Sequence, residues 1–353
     1  MSEGSGLILA VESSCDETAV AVVGQGRRIA SNIVASQTAL HAATGGIVPE
    51  VAARAHLRWM LPVLDRALDE AGLADWRDLE AVAVTCGPGL AGSLLVGITM
   101  AKTLAYLHDL PLVPVNHHEG HIYAAWLLDA GDAARAAPAF PVVALVVSGG
   151  HTFLVEMPDH LTYRLLGQTV DDAAGEAFDK VGRLLGLPYP GGPSIQRVAA
   201  DALRHDRRFP RAWLGDGFDF SFSGLKSAVR RAVTDVAGAT ADDGVALPED
   251  LVAETAWAFQ EAVVDVLATK TVRAAERAGA ATIVLGGGVA ANAVLRQRVG
   301  ERAAHLGIPV VVPRPGLCTD NGAMIGAAGF LRARAGVRAG WELEARPSLK
   351  LAG

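Results

Sequence analysis

The sequence predicts an α/β protein of two similar domains, and three observations predict it. Short β-rich runs alternate with longer helical patterns. A pair of apolar runs around a polar turn occurs twice, about 135 residues apart. The 353 residues are enough for about two domains of ordinary size.

In the first pair, Leu7 to Val11 and Thr18 to Val23 flank Ser13-Ser14-Cys15-Asp16-Glu17, which reads as a hairpin. In the second, Val142 to Val147 and Thr152 to Val155 flank Ser148-Gly149-Gly150-His151. The likeness is of pattern and not of residue identity. It suggests an internal duplication, with two α/β domains facing each other across a cleft. Asp129 to Pro141, rich in Ala, Gly, Asp and Pro, is the boundary candidate. Residues 1–135 and 136–321 are then the two domains, with 322–353 packing back on the first. The small apolar stretch from Gly322 to Ala335 reads as the helix that returns.

Pro49 to Leu68 reads as a helix with proline at its start. Leu57, Met60, Leu61, Leu64 and Leu68 form one apolar stripe, and Trp59 with Val63 a second about 200° away. Such a helix is buried in the core or shared with a partner, and the core is the favoured reading. Ala81 to Ala101 carries no charge over 21 residues, long enough for a bilayer. Its interior reads otherwise: Ala81 to Val84 as a strand, Gly87-Pro88-Gly89 as a turn, and Ser93 onward as a buried helix. A membrane span is not expected. Gly238 to Pro248, small and acidic, reads as an exposed loop.

Hydrophobic residues make up 51% and charged residues 20%, which excludes a disordered chain. The net charge of −7 argues against a protein that coats nucleic acid by bulk charge, though not against a local patch or a partner. Cys15, Cys86 and Cys318 are too few for a disulfide framework and show no Cys-x-x-Cys pattern, so a reducing compartment is expected. Met1 to Gly6 lacks a basic region and the next apolar run is cut by Glu12, so no signal peptide is expected.

The polar motifs carry the chemistry. The first turn gathers Glu12, Asp16 and Glu17 with Ser13, Ser14 and Thr18, able to hold a metal, a water, a substrate amine or phosphate oxygens. Its bland alternative is a solvated hairpin turn. In His117-His118-Glu119-Gly120-His121, a helix puts His117 and His121 one turn apart on one face, suited to metal capture. A structural histidine pair is the competing reading. The zinc-protease pattern His-Glu-x-x-His fails, because its second histidine falls on Ile122. Asp320 is the best third ligand candidate; two histidines and a carboxylate suit iron or zinc, but nothing in spacing joins it to the pair.

Four glycine-rich loops, at Gly87-Pro88-Gly89, Ser148-Gly149-Gly150-His151, Gly191-Gly192-Pro193 and Gly286-Gly287-Gly288, point to a nucleotide in a cradle other than a P-loop. Asp172, Glu176 and Asp179 share a helix face that could read ribose hydroxyls or a substrate amine, unless they only complement the helix dipole. Lys226 could meet an anion or be an ordinary surface lysine. Arg204 to Arg211, with four arginines in eight residues, could meet a phosphate backbone or be a solvated loop.

Together these motifs resemble the TsaD (Gcp/YgjD) family, from about residue 7 to about residue 330. The resemblance rests on Glu12-Ser-Ser-Cys-Asp-Glu-Thr18, His41-x-x-x-Gly-Gly-Ile-Val-Pro-Glu50 with Arg54-x-His56, Gly87-Pro-Gly-Leu90 and His117-His-Glu-Gly-His121. It rests further on Val147-Ser-Gly-Gly-His-Thr152, Asp171 to Lys180, Tyr189-Pro-Gly-Gly192, Phe222-Ser-Gly-Leu-Lys226, Gly286 to Asn292 and Cys318-Thr-Asp-Asn321. The resemblance implies the actin/Hsp70/sugar-kinase (ASKHA, RNase H-like) fold. It implies a cytoplasmic transferase that moves threonylcarbamoyl from threonylcarbamoyl-AMP to N6 of the adenosine beside the anticodon in tRNAs reading ANN codons, releasing AMP. By the same resemblance His117, His121 and Asp320 hold one divalent metal, iron or zinc. Val146, Val147, Ser148, Gly149, Gly150, Asp179, Gly192 and Asn292 line the adenylate pocket, which an ATP- or ADP-like nucleotide could also occupy. Asp16 and Glu17 stand at the reacting end. The implied partners are tRNA, an inactive TsaB-like paralogue docking on the Pro49 to Leu68 helix, and a TsaE-like ATPase, with a homodimer in their absence. Two alternatives remain open: a metalloprotease of the O-sialoglycoprotein endopeptidase type, and a non-catalytic nucleotide-binding scaffold.

Overall fold

The computed structural model describes residues 6–42, 46–128 and 136–351. Most of the boundary candidate Asp129 to Pro141 therefore lies outside the described residues. The chain divides into two units, one formed by the residues up to Pro138 and from Pro313 onward, the other by Ala139–Val312.

The first unit opens with β1 (Leu7–Glu12), β2 (Glu17–Gly24) and β3 (Arg28–Ser36). There follow α1 (Thr38–Ala42), α2 (Pro49–Ala71), β4 (Leu79–Gly87), α3 (Ala91–Leu107), β5 (Leu112–Asn116) and α4 (His117–Tyr123). Its sheet runs β3-β2-β1-β4-β5. The first three strands are antiparallel neighbours, while β1/β4 and β4/β5 are parallel. β1 and β4 are apolar on both faces, as strands covered on both sides must be. One face packs Leu9, Val11, Val82 and Val84 against Met60, Leu64, Leu94 and Ile98 of α2 and α3.

The second unit holds β6 (Val142–Val147), β7 (Thr152–Met157), β8 (Arg164–Gln168), α5 (Ala174–Leu184), α6 (Gly191–Ala199) and α7 (Ser223–Ala237). It closes with α8 (Glu249–Ala278), β9 (Thr282–Gly286), α9 (Ala293–Ala304) and β10 (Val310–Val311). Its sheet runs β10-β9-β6-β7-β8, with β6/β7 and β7/β8 antiparallel and β6/β9 and β9/β10 parallel. Strand for strand, this is the order of the first sheet. The core helix α8 buries Phe259 edge-on against Phe178, ring centroids 5.1 Å apart.

The chain then returns to the first unit through α10 (Pro315–Cys318) and α11 (Gly322–Arg334). α11 lies on the sheet face opposite α2 and α3, close to Ala10, Val23 and Ala83 through Gly326 and Gly329. Among the described residues no helix is long and apolar enough to cross a membrane.

Several local expectations are corrected. On α2, Val63 of the second stripe is buried, whereas Leu57 and Leu61 of the first are 68% and 58% exposed. The stripe splits because the sheet covers only the side holding Met60, Val63, Leu64 and Ala67. The segment 238–248 is not wholly an exposed loop: Thr240 is buried, and Asp243 accepts from its backbone N–H at 2.9 Å and its hydroxyl at 2.7 Å.

Candidate functional site

β5 ends at Asn116, whose side-chain oxygen accepts from His118 N at 2.8 Å and starts α4. Helical spacing then puts His117 and His121 on one face, ring centroids 4.6 Å apart. Asp320 lies just before α11, whose N-cap is Asn321. Its Oδ1 is 3.5 Å from His117 Nε2 and 3.2 Å from His121 Nε2. The structure thus brings together three residues that spacing alone could not join. Donors bound at about 2.1 Å to one ion lie roughly 3.4 Å apart in a tetrahedron and about 3.0 Å apart in an octahedron. The observed separations fall at that scale.

The surroundings fit an ion as well. His117 Nδ1 is 3.1 Å from Glu12 Oε2 and 3.1 Å from Ser14 Oγ. Glu12, fully buried, also accepts from Thr85 Oγ1 at 2.6 Å and Ser14 N at 2.5 Å. Burial opposes its ionisation, but His117 and the Thr85 bond outweigh that and hold the carboxyl below the ordinary value. A carboxylate only accepts, so Nδ1 carries a proton toward Glu12, which leaves Nε2, facing Asp320, as the nitrogen a metal would take. Burial likewise opposes charge on His117, yet Asp320 and Glu12 lift its pKa to about 9. A cation at Nε2 would replace that second proton. Neither ring nitrogen of buried His121 has a hydrogen-bond partner among the described residues, despite the 3.2 Å approach to Asp320. A buried polar group left so costs about 1–3 kcal/mol, which a bound ion would recover. Two imidazoles and a carboxylate, backed by a buried glutamate, fit a divalent transition metal.

Asp16 and Glu17 stand half-buried at the start of β2. Burial, then the carboxylates of Asp320 and Asp16, push the Glu17 carboxyl up to about 10. Glu17 also accepts from Ser36 Oγ at 3.0 Å. His56 pins the turn from below: its Nδ1 is 2.7 Å from Thr18 Oγ1, and its Nε2 donates to Cys15 O at 3.0 Å.

In the second unit, the turn between β6 and β7 is closed by Ser148 N donating to His151 O at 2.8 Å. Gly149 and Gly150 are exposed, and their N–H groups have no hydrogen-bond partner among the described residues. The side chains of Val146 and Val147 are buried in the sheet, so only their backbone could meet a ligand. Asp179 accepts from Gly191 N at 2.7 Å, fixing the start of α6 beside Gly192. Asn292 is spent at both ends: Oδ1 caps α9 through Leu295 N at 3.0 Å, and Nδ2 donates to Gln260 at 2.8 Å.

A family model described as TsaD, tRNA N6-adenosine threonylcarbamoyltransferase, matches residues 28–327. The chain belongs to the TsaD family. It is 52% identical to the tRNA N6-adenosine threonylcarbamoyltransferase of Thermomicrobium roseum, over 98% of this chain and 97% of that one. To the protein of the same name from Bacillus subtilis it is 47% identical, over 98% and 95%. Among solved structures, HypF of T. kodakarensis superposes with a TM-score of 0.57 at 14% identity, over 93% of this chain and 48% of that one. The activator of the 2-hydroxyisocaproyl-CoA dehydratase from Clostridium difficile gives 0.51 at 14% identity, over 94% and 96%. At such identities the likeness speaks for the fold alone, the actin/Hsp70/sugar-kinase fold with its repeated sheet order.

In this TsaD-family chain Glu119 does not face the histidine pair as a hydrolytic base. Both its oxygens accept from Arg332 Nη1, at 3.0 and 2.9 Å, and Oε2 also accepts from Asn116 N at 3.3 Å. The acidic run before α5 is likewise structural in large part. α5 starts only at Ala174, and Lys180 pairs with Asp172 at 2.7 Å and Glu176 at 2.9 Å. Asp171 accepts from Ser221, Phe222 and Ser223, because the start of α7 needs its donors satisfied. Lys226 sits in the first turn of α7. In the basic segment, Arg204 pairs with Glu254 at 2.7 Å and Arg211 with Asp265 at 3.3 Å, so two of its four arginines have acidic partners within the fold.

The residues that motif reading undervalued are Glu12, Thr85 and His56. Their signal was present: a glutamate, a threonine and a histidine inside apolar strand or helix patterns, where a buried polar group must have a partner.

Proposed function

We propose that this chain transfers the threonylcarbamoyl group of threonylcarbamoyl-AMP to N6 of the adenosine beside the anticodon in tRNAs reading ANN codons. The observation that carries the reading is family membership across residues 28–327 in a chain whose His117, His121 and Asp320 are intact and converge. His117, His121 and Asp320 hold one divalent metal, iron or zinc. When bound, it supplies Lewis-acid polarisation and neutralises oxygens of the adenylate. Glu12 keeps Nδ1 of His117 protonated and its ring aligned.

The reaction is acyl transfer. N6 attacks the carbonyl carbon of the mixed anhydride, a C–N bond forms, and the C–O bond to phosphate breaks with its electron pair leaving on AMP. Asp16 takes the proton released from N6, and Glu17, kept neutral by its surroundings, supports Asp16 by hydrogen bonding. The exposed amides of Gly149 and Gly150, with Ser148, hold the phosphate that leaves. Val146 and Val147 contribute backbone only, and Gly192, Asp179 and Asn292 shape the adenylate pocket. An ATP- or ADP-like nucleotide suits the same pocket.

Exposed Leu57 and Leu61 support the docking of an inactive TsaB-like paralogue on α2. A TsaE-like ATPase completes the set, a homodimer forms without them, and the tRNA substrate argues for the cytoplasm. Leu57→Asp with Leu61→Asp should abolish paralogue binding while leaving folding intact, measured by calorimetry.

A peptidase is disfavoured by the engagement of Glu119 with Arg332, and a bare scaffold by the intact ligand set. The test is nucleoside mass spectrometry of tRNA from cells depleted of their own family member. Restored threonylcarbamoyladenosine with this chain, and none with His117→Ala, is the expected result. No restoration by soluble chain with its cognate partners would overturn the assignment.

A further inference from the structure

The family match ends at residue 327, yet the segment beyond α11 reaches back under the histidine helix. Ala339 N donates to Leu112 O at 2.9 Å beside β5, and Arg346 N donates to Cys86 O at 2.8 Å at the end of β4. Gly89 N donates to Pro347 O at 3.1 Å, and Asn116 Nδ2 donates to Lys350 O at 3.1 Å. The approach at Gly87 is so close that a Cβ there would sit 2.0 Å from Arg346 O and 3.0 Å from Leu349 Cβ. Leu343, Ala345 and Leu349 pack on the core of the first unit.

Two of these contacts lead to the ligands. Asn116 is the N-cap of α4, so one amide group joins Lys350 to the first turn carrying His117. The 87–90 loop bears on Ser14 through Leu90 N, which donates to Ser14 O at 2.7 Å, and Ser14 Oγ touches His117 Nδ1. We infer that residues 346–350 form a strap that positions α4 and the 87–90 loop, and thereby sets metal affinity at His117, His121 and Asp320. The inference rests on the metal reading given above. Asn116 and Leu349 are positioning residues: neither is a ligand, and each acts on the ligands through backbone it holds.

Asn116→Ser keeps an N-cap oxygen but is too short to reach Lys350 O. Leu349→Ala loosens the strap from the other side without touching α4. Full-length chains are titrated with zinc against a chromophoric chelator, and the melting temperature of each metal-free chain is measured alongside. Each variant should bind zinc about tenfold more weakly than the parent while the metal-free melting temperatures stay together. Zinc affinity within twofold of the parent in both variants would overturn the strap and leave the metal site standing. Zinc binding by the parent that survives His121→Ala would overturn the metal site and the strap with it.

Discussion

In the first unit, the turn after the opening strand carries hydroxyls and acids and is gripped by buried polar side chains: Glu12 from the strand, Thr85 from β4, His56 from α2. In the second unit, the equivalent turn carries two exposed glycines and is closed by its own backbone and Ser148. The loop after the fourth strand presses on the turn in the first unit and on the strand end beside the turn in the second. A Cβ on Gly89 would lie 2.5 Å from Ser14 O, and one on Gly287 would lie 2.4 Å from Val147 O. The same strand order therefore carries two differently built turns. A turn made of backbone can offer N–H groups to an anion; a turn braced by buried carboxylate and imidazole can aim ligands at a cation.

Removing a ligand should break the contrast most severely. His121→Ala is expected to reduce bound metal to near zero by elemental analysis, and transfer by on the order of a hundredfold or more in a single-turnover assay. The same loss of metal from a change in the second unit's turn would erase the distinction between them. Next in size is the carboxylate behind His117. Glu12→Gln should weaken metal binding about 10–100-fold, because a neutral amide no longer fixes the proton on Nδ1; chelator competition measures it.

The glycines of the second unit separate scaffold from surface. Gly287 has φ +87 and no room for a methyl, so Gly287→Ala should cost about 1–3 kcal/mol in chemical denaturation. Gly150 has nothing within 4 Å of its would-be Cβ. Gly150→Ala should leave stability within about 0.5 kcal/mol yet weaken AMP binding in calorimetry. Equal stability losses would mean that both turns are merely structural.

The smallest effect concerns how the second unit is braced at a distance from its turn. Burial opposes ionisation of Asp265, but Arg302, at 2.7 Å, and Arg211 hold its carboxyl below the ordinary 3.8. A depressed folded-state pKa gives stability that is present above the unfolded value and is lost as pH falls through the folded one. Asp265→Asn should therefore flatten the stability profile below about pH 4, seen in urea midpoints, with no change in metal affinity.

The two hairpins were legible because alternating apolar residues bounded by a polar turn need only local sequence to be read. The pairing of His117 with His121 was legible for a similar reason, since helical period fixes it. Asp320 was nameable as a chemical candidate, but its approach to the histidines depends on how α11 lies against the sheet. The exposed face of α2 was misjudged because an apolar stripe does not say which side the sheet will cover; Leu57 and Leu61 turned outward and Val63 inward. Asp172, Glu176 and Asp179 looked like one ligand face, and the pairing of Asp172 with Lys180 and of Asp179 with Gly191 N became visible only in three dimensions.

By itself the sequence determined the strands, the helices, the glycine loops and the set of side chains able to bind metal, since these follow from local periodicity and residue chemistry. Tertiary structure alone decided that Asp320 meets His117 and His121, that Glu12 stands behind them and that Lys350 reaches Asn116. Those contacts join residues far apart along the chain, and only the packing of α4, α11 and the C-terminal segment on the first sheet brings their atoms within bonding distance.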